Sequence, residues 1–81
     1  MGFDIEELRD AIRTQVLTDD ILEQLVNFMW EFDPYGILDH YGHIDDEGVK
    51  EQLLEEAQYR FENEPEVVLD ELDFYESDGA I

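Results

Sequence analysis

Apolar residues recur along this chain at helical spacing, and four stretches stand out. Ile5, Leu8, Ala11, Ile12 and Val16 form one stripe, which predicts an amphipathic helix over residues 4–16. Asp4 is suited to cap it, with Glu7 three residues on as in a capping box. Thr18 caps a second helix, whose first turn carries Asp19 and Asp20 near the positive end of its dipole. Ile21, Leu22, Leu25, Val26, Phe28, Met29, Trp30 and Phe32 cover more than one face of that helix, so residues 19–32 are expected at the centre of the core. Pro34 ends it, because the residue before a proline is disfavoured in helical geometry.

Residues 33–45 are the least regular, with Gly36 and Gly42 as turn signals. Ile37, Leu38 and Tyr41 suit one short helical turn against the core. Asp45 or Asp46 then caps a third helix over about 46–63, with Val49, Leu53, Ala57, Arg60 and Phe61 inward. Pro65 fits the first position of a fourth helix running to about Glu76, with Val68, Leu69, Leu72 and Tyr75 inward. Period-two alternation is absent. The expectation is an all-α, three- to four-helix bundle over residues 1–76, with 77–81 as a frayed tail.

Charge changes this picture. The 81 residues carry 24 acids against four bases, for a net charge of −20. Disorder is the common meaning of such acidity, but 43% hydrophobic content and ten aromatic residues favour a folded domain with a highly acidic surface. The excess is uneven: residues 1–40 hold ten acids and two arginines, while 41–81 hold fourteen acids with Lys50 and Arg60. Such a field repels nucleic acid and anionic lipid, and attracts basic protein surfaces.

The carboxylates also have a pattern. Glu47, Glu51, Glu55 and Glu62 recur opposite the apolar stripe of the third helix, and Glu66, Asp70 and Asp73 do so on the fourth. Helix neighbours three or four residues apart lie ~5–6 Å from one another, near the spacing of successive phosphates on a strand. Like charges at this spacing cost ~0.2–0.5 kcal/mol per pair. Asp46 with Lys50 and Glu56 with Arg60 are favourable i, i+4 pairs, and the stripe residues have no such partner in sequence. A charge run is usually a solvated helix face. An uncompensated one, in a chain this acidic, points instead to a face that meets something cationic. The candidate interface is Asp45, Asp46, Glu47, Glu51, Glu55, Glu62, Glu66, Asp70, Asp73 and Glu76, with Asp19, Asp20 and Glu23 extending it if the second helix lies alongside.

By this composition and stripe pattern, and by no linear motif, the chain resembles the DNA-mimic inhibitors of phages and mobile elements: the overcome-restriction protein of T7-like phages, the antirestriction proteins of conjugative elements and acidic anti-CRISPR proteins. The resemblance implies a stoichiometric inhibitor whose carboxylates replace phosphates in the DNA groove of a host restriction, CRISPR or other DNA-binding protein, in a bacterial or archaeal cytoplasm. It implies no direct contact with nucleic acid. A homodimer would double the charged length, and the apolar pattern leaves that open. The alternatives are an acidic adaptor or chaperone shielding a basic partner, and a domain adapted to molar salt.

Other chemistry finds little purchase. There is no cysteine, hence no disulfide or thiolate site. The first residues, with Asp4, Glu6 and Glu7, do not resemble a signal peptide, and the uncharged run Gln24 to Trp30 is too short to span a bilayer. His40 and His43 could offer a zinc pair only on a helical turn, and are expected to be loop residues. The acids at 45–47 lack the alternating ligands of an EF-hand. With no nucleophile–base order and no phosphate-cradling loop, no enzyme activity, cofactor or resident metal is expected.

Overall fold

A computed structural model describes residues 2–34, 36–40 and 45–79, and in these the secondary structure is entirely helical. The helices are α1 (Ile5–Thr14), α2 (Asp19–Phe32), α3 (Ile37–His40), α4 (Asp46–Asn63) and α5 (Pro65–Ser77). The all-α expectation holds, with five helices rather than three or four because α3 is a separate single turn. Tyr41, expected in that turn, and the turn signal Gly42 lie outside the described residues, as do His43 and the end of the tail at 80–81.

The long helices close a ring: α1 packs on α2, α2 on α4, α4 on α5, and α5 back on α1. Each contributes its apolar stripe to one core. Leu8, Leu25, Phe28, Leu53, Ala57, Val68 and Leu72 are fully buried, with Ile12 and Met29 nearly so. Phe28 sits among aromatic rings, edge-on to Phe3 and to Tyr75. Tyr75 in turn stacks on Phe32 at 4.8 Å between centroids. Trp30 and Phe32 pack against the core half-buried rather than inside it.

Local signals explain the boundaries. The Asp4 carboxylate accepts from the N–H groups of Glu6 and Glu7. The other half of the expected capping box is replaced: the Asp4 N–H donates to Oε1 of the buried Gln24 in α2, at 2.9 Å. Gln24 also donates to Asp20, so a polar side chain within an apolar helix has partners at both ends. Helix α1 stops at Thr14, earlier than its stripe suggests, because Gln15 takes the left-handed conformation at φ 58°. Val16 is thereby carried out of the core and is 54% exposed. At the end of α2, Asp33 is left-handed (φ 46°), not extended as its place before Pro34 suggests. Its carboxylate then accepts the Leu38 N–H at the start of α3. Asp45 caps α4 by accepting from the Gly48 N–H. One residue, Glu64, separates α4 from α5, and α5 begins on Pro65 as expected. It continues to Ser77, one residue into the expected tail.

Candidate functional site

All 24 acidic residues fall within the described residues, and none of them is buried. What separates them is what the few cations do. Among the described residues, two arginines, Arg9 and Arg60, make five ion pairs.

Arg9 lies on the inner edge of α1, where Ile5 and Ile12 at helical spacing place it on the apolar stripe, and its side chain is only 11% exposed. Its Nη1 donates to Glu6 at 2.7 Å, and its Nη2 to Asp73 and to Glu76 of α5, each at 2.9 Å. One guanidinium thus joins α1 to α5 through three carboxylates. The Glu76 hydrogen bond raises the Arg9 pKa above its ordinary value against the opposing effect of burial, and Asp73 adds to it, so the cation is held charged. Sequence reading missed this clamp. The available signal was a basic residue occupying a stripe position.

Asp73 and Glu76 therefore do not belong to an uncompensated stripe: both are turned to a countercharge of the same molecule. On α4, Arg60 is half-buried, as the inward reading suggested, and bonds Glu56 at 2.7 Å and Glu64 at 3.1 Å. The Glu56 pairing follows from its i, i+4 spacing. Lys50 forms no ion pair with Asp46 among the described residues.

The remaining candidates behave differently. Glu47, Glu51, Glu55 and Glu62 on α4, and Glu66 and Asp70 on α5, are all exposed, and none has an ion pair among the described residues. Glu62 accepts only a long bond from Gln58, at 3.4 Å. Asp46 is exposed at the start of the same helix, while Asp45 spends one oxygen on the cap.

Apolar groups interleave with these acids. Leu54 and Tyr59 on α4 are 41% and 54% exposed, and Val67 and Phe74 on α5 are 39% and 61%. Phe74 projects outward with its ring edge-on to Tyr75, at 5.2 Å between centroids, while Tyr75 itself belongs to the aromatic cluster. Burial first, then the carboxylates of Glu71 and Asp33, push the Tyr75 phenol above its ordinary pKa.

Helix α2 does lie beside α4. Asp19 and Glu23 share with Leu22, Val26, Asn27, Lys50 and Leu54 the walls of a groove of about 370 Å³ between the two helices. Among the described residues no group of three or more acidic or histidine side chains is arranged to hold a metal ion, and no helix is long and apolar enough to cross a membrane. His40 ends α3; its sequence partner His43 is outside the described residues. No protein-family model, curated protein or solved structure matches this chain.

Proposed function

We propose that this protein is a DNA-mimic inhibitor that occupies the DNA groove of a restriction, CRISPR or other DNA-binding protein, in a bacterial or archaeal host. One quantity carries the reading. The fold is 34 Å along its longest axis and bears 20 net negative charges, one per ~1.7 Å. Duplex DNA carries one charge per ~1.7 Å of helix axis. A groove lined by Lys and Arg therefore meets a body of similar length and similar charge per length.

The interface proposed is narrower than the sequence stripes. Asp46, Glu47, Glu51, Glu55, Glu62, Glu66 and Asp70 supply free carboxylates, Asp45 contributes beside its cap, and Asp73 and Glu76 act mainly as ligands of Arg9. Binding would release counterions from both surfaces, as DNA binding does, and relieve the inhibitor's self-repulsion. Affinity should fall steeply with salt.

The test reverses charge where no internal pair is broken. The triple variant Glu51→Lys, Glu55→Lys and Asp70→Lys should keep its helicity by circular dichroism, or raise it, and lose capture of the partner from host lysate. Capture at unchanged yield would eliminate the α4–α5 face as the interface.

A further inference from the structure

We infer that the groove between α2 and α4 receives one apolar side chain from a basic segment of the protein partner. This rests on the partner being a cationic protein, and adds an anchor that the carboxylates alone do not provide. The groove has two kinds of wall. Val26 forms a buried floor, Leu22 is half-buried, and Leu54 remains 41% exposed on the side of α4 that faces α2. Asp19 and Glu23 stand on the rim, exposed and free of ion pairs among the described residues, and with Lys50 also lining the groove they leave its rim net negative by one charge.

Its volume, about 370 Å³, lies at the low end for small-ligand sites and suits one or two side chains. Its charge selects among occupants. A second copy would bring another −20 body against this one, and an anionic ligand would meet Asp19 and Glu23. A leucine- or phenylalanine-sized group flanked by Lys or Arg satisfies both walls: the apolar group covers Leu22, Val26 and Leu54, and the flanking cations meet the rim. Polynucleotide has no equivalent contact, so the groove would distinguish a protein partner engaged at one fixed register from one held by charge alone.

The probes are a short amphipathic Lys/Leu peptide, an oligolysine of equal charge, and a Leu/Gln peptide with the same leucines. At about 0.5 M NaCl, where exposed charge pairs are largely screened, the Lys/Leu peptide should bind roughly tenfold or more tighter than oligolysine, the gain expected from covering one large apolar side chain. It should shift the methyl resonances of Leu22, Val26 and Leu54. Leu54→Asn, at a partly exposed position, should reduce that advantage to threefold or less without changing oligolysine binding, and Leu54→Met should restore it. Equal affinity for Lys/Leu peptide and oligolysine, or shifts centred on Phe74, would overturn the groove while leaving the cationic partner intact. Equal binding of the Leu/Gln and Lys/Leu peptides at about 0.15 M NaCl, where the rim charges still act, would overturn the basic occupant. If neither cationic peptide bound at about 0.15 M NaCl, the reading of a cationic partner would fall, and the groove proposal with it.

Discussion

Two surfaces of this bundle are built from the same residue types and do opposite things. At the junction of α1 and α5, Glu6, Asp73 and Glu76 surround one nearly buried guanidinium and tie two helices together. On the outward face of α4, Glu47, Glu51, Glu55 and Glu62 repeat along the helix with no cation among the described residues to receive them. Exposure does not separate the two sets, since Glu6 and Asp73 keep 75% and 58% of their side-chain surface in water. The difference is the position of a cation. On these two surfaces an acidic residue ties helices together where Arg9 reaches it at the edge of the apolar layer, and otherwise adds to an uncancelled field.

The largest effect expected from this contrast is on stability. Arg9→Met keeps much of the stem's packing but removes three charge-assisted hydrogen bonds and leaves three carboxylates facing one another. A loss of about 1.5–3 kcal/mol is expected, within the range for hydrogen bonds to charged groups. For a domain of this size each kcal/mol is worth roughly 4–8 °C in Tm, so thermal unfolding followed by circular dichroism resolves it easily. An unchanged Tm would mean that the clamp is no more than a surface pairing.

Sequence periodicity located the helices because each long one has a continuous apolar stripe and a local stop: Thr18, Asp45 and Pro65 at starts, Pro34 just beyond an end. The limits of α2 and α4 follow directly from these signals. Periodicity did not place Val16, because the left-handed Gln15 turns the chain before the stripe ends, and residue type alone does not announce that turn. It also did not find the partners of Arg9 and Gln24. Those interactions join residues 64, 67 and 20 positions apart, and depend on which helices become neighbours. The same limit applies to the candidate interface. Spacing revealed the α4 row, but gave no means to see that Asp73 and Glu76 are engaged from across the bundle. Nor could it show that α2 and α4 enclose a groove.

The aromatic cluster between α2 and α5 also carries a pH signature. Tyr75 holds its proton more tightly in the folded chain than in the unfolded one, because ionisation would place a phenolate in the aromatic cluster near Glu71 and Asp33. The folded form therefore binds the extra proton, and its stabilising contribution is complete below the ordinary tyrosine value near 10. Above that value the contribution declines until pH passes the raised folded pKa. The urea midpoint should fall over this alkaline range, and Tyr75→Phe should flatten the fall while changing stability little near neutrality. An equally steep fall in the variant would assign it elsewhere.

The opposite sign is expected on α4. Glu51→Gln with Glu55→Gln removes repulsion at i, i+4 and should stabilise the fold by a few tenths of a kcal/mol to about 1 kcal/mol. Added NaCl should reproduce part of that gain in the parent protein and less of it in the variant. Destabilisation by the double change would place hidden partners on this face and erase the contrast with the clamp. The smallest effect belongs to Lys50→Gln on the groove rim. Removing this like charge should tighten the Lys/Leu peptide by up to about fivefold, the scale of an exposed charge pair, and unchanged or weaker binding would contradict a cationic occupant beside it.

Mimicry of DNA is tested most directly by displacement. The protein, immobilised and loaded from bacterial or archaeal lysate at about 0.15 M salt, should retain a partner that itself binds duplex DNA, and excess duplex should release that partner in a dose-dependent way. A partner that stays bound in saturating duplex would contradict the account, because a surface standing in for phosphates cannot share its groove with the real ones.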